Sequence, residues 1–209
     1  MPTPFTIRVE NLSKRFNRDW IFRNLNFTFE AGNTYAITGP NGSGKSTLMQ
    51  ILWGQMPPSK GEIVYQLKDK VLEADAVYKS VAIATPYMEL IDEFTLSEQL
   101  RFHFSIKECR HTMSVHELLE VMYLQDAKDK QITNFSSGMK QRVKLALALF
   151  TKADAIFLDE PGTNLDNTAF EWYRNQLNHL PDDCLIFIAS NQPAEYPSNA
   201  IKVDIMQYK

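Results

Sequence analysis

Residues 38–47 read "TGPNGSGKST" and grow directly out of the apolar run "TYAIT" at 34–38. A short apolar run bounded by turn residues has the pattern of a buried strand. From Lys45 the stretch "KSTLMQILWG" has helical spacing, with Leu48, Ile51 and Leu52 on one face and Gly54 as a stop. Strand, glycine-rich turn and helix thus frame the pattern G-x-x-x-x-G-K-[ST] at Gly39, Gly44, Lys45 and Ser46. The chemistry asks for those residue types. Glycines let backbone N–H groups turn inward around phosphate oxygens, and the helix directs its positive end at the same anion. Gly39, Pro40, Asn41, Gly42, Ser43, Gly44, Lys45, Ser46 and Thr47 are therefore the candidate phosphate cradle. Lys45 reaches the β- and γ-phosphates, the Ser46 hydroxyl ligates Mg²⁺, and Thr47 meets the α-phosphate. The chain holds eight glycines and three of them stand in this loop. A sequence so sparing with glycine places it where a side chain would block something.

Working outward, "FTIRVEN" at 5–11 and "LNFTF" at 25–29 alternate as strands, and "GEIVYQL" at 61–67 and "SVAIA" at 80–84 add two more. Residues 95–126 read as mostly helical, and "SSGMKQRVKLALALF" opens a further helix with a serine near its start. "DAIFLDE" at 154–160 is almost wholly apolar until two closing acids, the profile of a central parallel strand covered on both faces. "NTAFEWYRNQLNHL" is an amphipathic helix and "CLIFIAS" at 184–190 another buried strand. Strands alternating with helices imply a doubly wound α/β core. The block at 87–145 interrupts it as an inserted helical subdomain, leaving 1–86 and 146–209 as the core of a single domain.

A phosphate cradle needs a carboxylate at the tip of another buried strand to steady the Mg²⁺ water shell. Asp159 sits there. Glu160 beside it is placed to orient or deprotonate an attacking water, which favours nucleoside triphosphate hydrolysis over storage. Two acids after an apolar strand are by themselves an ordinary solvated strand end; the glycine loop changes that reading.

Between these two features lies "FSSGMKQR" at 135–142. Here the chain resembles the ATP-binding cassette (ABC) family, whose signature has the form L-S-G-G-Q. Ser136 and Gly138 match it, while Phe135, Ser137 and Met139 are substitutions. The order "GPNGSGKST", "FSSGMKQR", "AIFLDEPGTNLD" is similar to the family's order of Walker A loop, signature, Mg²⁺ strand and D-loop, so the resemblance spans essentially the whole chain. It implies a P-loop NTPase core with a mostly parallel sheet and an N-terminal antiparallel β-subdomain. It also implies that Ser136, Ser137, Gly138 and Asp166 bind ATP in trans, across a dimer of cassettes. A hydroxyl, a bare N–H and a helix N-terminus suit that task, although a plain N-cap has the same composition. Phe16, in "LSKRFN", stands where the family sets an aromatic ring against adenine, a contact of about 1 kcal/mol; a core phenylalanine would read the same way.

Two positions depart from the family. Asn191, in "IASNQ", replaces the switch histidine. Its amide can hydrogen-bond a γ-phosphate but cannot carry positive charge. The glutamine at the entry to the helical subdomain is missing from "AIATPYMEL", where Thr85 or Pro86 occupies the spot. Slow or differently coupled hydrolysis is the expectation.

The resemblance implies ATP and Mg²⁺ as ligands, a homodimer or heterodimer of cassettes, and a separate transmembrane permease subunit. In brevity the chain is similar to the haem-exporter ATPases of cytochrome c maturation. A soluble non-transport cassette ATPase and a slow-turnover ATP-dependent regulator are the alternatives. No N-K-x-D motif supports a GTPase, and a small-molecule kinase leaves "FSSGMKQR" unexplained. A net charge of −3 argues against nucleic acid as a partner. Cys109 and Cys184 lack metal-type spacing and read as reduced thiols. No stretch approaches the ~20 apolar residues of a membrane span, so the expected location is cytoplasmic, peripheral to the membrane through the partner.

Overall fold

The computed structural model describes residues 5–68 and 70–209. β1 (Thr6–Phe16), β2 (Asp19–Glu30), β4 (Lys60–Leu67) and β5 (Lys70–Leu72) form an antiparallel sheet in the order β2-β1-β4-β5. A second sheet runs β6-β7-β8-β3-β9, built from β3 (Thr34–Thr38), β6 (Val81–Ala84), β7 (Ala155–Asp159), β8 (Leu185–Ala189) and β9 (Ile201–Asp204), with every pairing parallel. The helices are α1 (Lys45–Leu52), α2 (Leu96–Ile106), α3 (Val115–Val121), α4 (Ser137–Leu149) and α5 (Asn167–Asn178).

All five residues of β7 and of β8 are buried. Alternation then splits them between two cores. Ile156, Leu158, Ile186 and Ile188 face a cluster that holds the buried sides of α2, α3, α4 and α5. Ala155, Phe157, Leu185 and Phe187 face the other, shared with α1 and the antiparallel sheet. There Phe157 and Phe187, directly paired across the strands, stack at 4.5 Å. The sheet is thus clamped on both faces, and its C-terminal edge supplies fixed ends for the site.

The structure extends several expected elements. β1 continues past Asn11, which takes a left-handed conformation (φ 49) where the register shifts between Val9 and Leu12. Asparagine tolerates that geometry, so a residue that reads as a stop is a bulge. The helical stretch at 95–126 is two helices, α2 and α3, each starting from a capping box: Thr95 with Glu98 and Ser114 with Glu117. β9 went unread because only Val203 of its four residues is buried. The expected division at 145/146 falls inside α4, whose buried C-terminal half (Val143 and Leu145–Leu149) belongs to the same core as β7.

Candidate functional site

β3 ends at Thr38 and delivers the chain into the glycine loop, which needs its glycines for shape. Gly42 and Gly44 have φ of 76° and 104°. A Cβ on Gly44 would stand 2.3 Å from Ile21, and one on Gly39 2.8 Å from both Ile205 and Ser43 Oγ. The loop is therefore wedged between β2 and the segment after β9. Lys209 tightens the second contact, its ammonium donating to the Ser43 carbonyl at 2.7 Å.

Lys45 is buried, and its ammonium donates to the Gly39 and Pro40 carbonyls at 2.8 and 3.3 Å. The charge waits at the mouth of the loop on acceptors it can exchange for phosphate oxygens. A cavity of about 380 Å³ opens there, lined by Asn41, Gly44, Lys45, Ser46, Thr47 and Glu160 among others. Asp159, at the end of β7, is 1% exposed, and its Oδ1 has no hydrogen-bond partner. Burial pushes its carboxyl up, while the Ser46 hydroxyl and the Lys45 charge draw it back. A buried carboxylate oxygen without a donor is costly unless something positive meets it. Asp159 and Ser46 therefore fit a divalent cation beside bound phosphate.

Glu160 turns the chain sharply. Its φ is 47°, its N–H donates to the Ala189 carbonyl at 2.9 Å, and its carbonyl accepts from Thr163 N–H at 3.1 Å. The side chain lines the phosphate cavity and a smaller one of about 170 Å³. Asn191 shares that smaller cavity and donates through Nδ2 to Asn41 Oδ1 at 3.0 Å. The sequence-derived residues of the cradle, the β7 tip and the switch position thus converge.

Five others lie away from these two cavities of their own chain. Ser136 caps α4, its Oγ accepting from Met139 N–H at 3.2 Å. A Cβ on Gly138 would approach the Asn164 carbonyl to 2.7 Å, so the α4 N-terminus lies against its own D-loop. Asp166 caps α5 through Ala169 N–H at 2.7 Å and stands 3.8 Å from Arg142. Ser137 is the first, exposed residue of α4. Phe16 is 45% exposed beside the Lys14 ammonium, and Ile21 rather than Phe16 lines the phosphate cavity.

Sequence reasoning missed Tyr87 and Glu195. At the entry to the helical block, Thr85 is buried and caps a turn by accepting from Met88 N–H, and the residue that reaches the phosphate cavity is Tyr87. Nothing in a lone tyrosine signals that. Glu195 is 1% exposed and lines the smaller cavity with Glu160; no spacing in the sequence marks it.

The family model described as "ABC transporter" matches residues 22–163. The chain belongs to the ABC transporter family. Among its ABC relatives, an uncharacterized ABC transporter ATP-binding protein of Bacillus subtilis is 32% identical over 161 residues, covering 77% of this chain and 73% of the relative. The Nod factor export ATP-binding protein I of Burkholderia lata is 34% identical over 167 residues, covering 78% of this chain and 55% of that protein. This ABC chain also superposes on the dimeric post-hydrolysis structure of an ATP-binding cassette bound to ADP and Pi, with a TM-score of 0.75, 23% identity, and coverage of 89% and 88%. It is thus an ABC ATP-binding protein, and none of its described helices is long and apolar enough to cross a membrane.

Proposed function

We propose that this chain is a Mg²⁺-dependent ATPase that drives a separate transmembrane permease subunit, with two cassettes closing around two ATP molecules. The observation that carries the reading is the unpartnered, buried Oδ1 of Asp159 next to Ser46 and Lys45. That oxygen is an acceptor at the place where a triphosphate would need its counter-ion.

In this reading the loop amides and Lys45 hold the phosphates, Lys45 trading its carbonyl acceptors for them. Mg²⁺, held through Ser46 and Asp159, neutralises phosphate charge when bound. Glu160 orients the attacking water and accepts its proton as the water oxygen bonds to phosphorus and the ADP oxygen leaves. Asn191 donates to the terminal phosphate through its second Nδ2 hydrogen, the first being held by Asn41. Ser136, Ser137, Gly138 and Asp166 act on the partner cassette's nucleotide; the Ser136 hydroxyl proton is free for it, because that oxygen accepts within its own cap.

The permease docks at the entry to the helical block of residues 87–145. A cleft of about 490 Å³ there has a mainly apolar lining that includes Trp53, Tyr78, Ile83 and Tyr87. Tyr87 lines this cleft and the phosphate cavity alike. That supports transport over a soluble regulator, and with it a location at the cytoplasmic face of a membrane.

Phosphate release from Mg-ATP, compared with the same assay in EDTA, tests the chemistry. Glu160→Gln should abolish turnover and accumulate an ATP-bound dimer on size exclusion. A variant that stays monomeric at saturating Mg-ATP, with its membrane partner present, overturns the clamp.

A further inference from the structure

Glu195 is an acid in the wrong surroundings. It ends the short turn Pro193–Glu195 after β8 and is 1% exposed, yet its Oε2 has no hydrogen-bond partner. Its backbone is fixed from two sides. The N–H donates to the Gln192 carbonyl at 3.0 Å, and its carbonyl accepts from the buried Tyr173 hydroxyl of α5 at 2.7 Å.

The side chain points back at the turn that follows Glu160. Gly162 comes so close that a Cβ there would stand 2.4 Å from Glu195 Oε1 and 2.8 Å from the Phe170 ring. The Gly162 backbone and the Ser190 hydroxyl stand beside this carboxyl and draw it down, against a burial that pushes it up. Glu195, Glu160 and Asn191 line the same 170 Å³ cavity. One buried side chain therefore touches both the turn after the catalytic strand and the segment carrying the switch position.

Glu160 needs such support. A left-handed φ is unfavourable for a residue with a Cβ and persists only where the surroundings over-determine it. Two backbone bonds, to Ala189 and from Thr163, hold Glu160 itself. In the rest of the turn Gln141 holds the Pro161 carbonyl, and Gly162 leans on Glu195.

We propose that Glu195 is a positioning residue for hydrolysis: its carboxyl ties the Glu160–Thr163 turn to the Ser190–Gln192 segment and so fixes the spacing between Glu160 and Asn191. The proposal rests on the ATPase reading above. It separates Glu195 from residues that bind nucleotide, since it lines no part of the phosphate cavity.

The test is steady-state Mg-ATP hydrolysis by the full chain, alongside titration with a fluorescent ATP analogue. Glu195→Ala removes the carboxyl against which Gly162 packs. It should lower kcat at least about tenfold while the analogue Kd stays within about twofold, because the lost geometry matters in the transition state rather than in binding. Glu195→Gln keeps an acceptor oxygen in place and should recover most of the rate. Should Glu195→Ala fail to fold, Gly162→Ala tests the same contact from the other side and should show the same split. Wild-type kcat in Glu195→Ala, or a loss of analogue affinity as large as the loss of rate, overturns this proposal alone. Absence of turnover in the wild-type chain overturns it together with the ATPase reading.

Discussion

Asn191 donates its side-chain amide to Asn41 Oδ1 across 3.0 Å, linking the switch position after β8 to the middle of the phosphate loop. A neutral amide makes this bond without adding charge. The two residues brace each other through one Nδ2 hydrogen, and the second stays available to a phosphate.

Replacing Asn191 with His puts a group there that can carry charge. A charge-assisted hydrogen bond to the terminal phosphate should raise kcat by about tenfold, equivalent to roughly 1.4 kcal/mol. Phosphate-release kinetics on Asn191→His check this, and an unchanged rate would show that the neutral amide does not limit turnover.

Gly138 is constrained by its own chain before any partner arrives. A methyl group there would press on the Asn164 carbonyl. Gly138→Ala should therefore lower the stability of the monomer without nucleotide by roughly 1–3 kcal/mol, the usual cost of overpacking. Thermal melts below the dimerisation concentration read this out. A wild-type melt would assign the glycine wholly to the partner's nucleotide.

His103 makes stability pH-dependent. Its Nε2 lies 2.8 Å from Thr151 Oγ1, whose hydroxyl donates to the Leu147 carbonyl, so the ring nitrogen is the donor. Burial, with the Lys107 charge second, pushes the imidazole down to about 4. Between that value and the ordinary 6.5, the unfolded chain binds one more proton than the folded one. Stability is therefore full above pH 6.5 and declines as pH falls toward 4. His103→Gln, which keeps a donor, should flatten this part of the melting-temperature profile. An equally steep profile would place the sensitivity elsewhere.

Tyr78 sits on the cleft proposed for docking and away from the phosphate cavity, 59% exposed with the Lys107 ammonium over its ring. Tyr78→Asp puts a charge on an apolar docking surface and should weaken capture of the permease subunit at least about tenfold, with basal hydrolysis intact. Co-purification from membranes measures it; undiminished capture would move the docking surface elsewhere.

The sequence carried the phosphate cradle, the β7 tip and the order of the elements because each is a local pattern: glycines at fixed spacing, an apolar run ending in acids, a serine opening a helix. What it hid is set by approach across long separations. Tyr87 reaches the phosphate cavity only because Thr85 turns inward as a cap, and no periodicity announces that. Glu195 matters because of Gly162, 33 positions earlier in the chain. Strand β1 outran its reading because Asn11 bends without breaking the ladder. Ser136, Ser137 and Asp166 were read for a role between chains, and within one chain Ser136 and Asp166 are caps.

α4 starts at the capped Ser136, and its buried Gln141 side chain donates to the Pro161 carbonyl at 3.0 Å, one residue beyond Glu160. The helix is thereby tied to the turn after β7, at the residue that follows Glu160. On the clamp reading proposed above, one helix would carry both the contact with the neighbour's phosphate and the support of the chain's own Glu160, so that the two firing events would be mechanically geared.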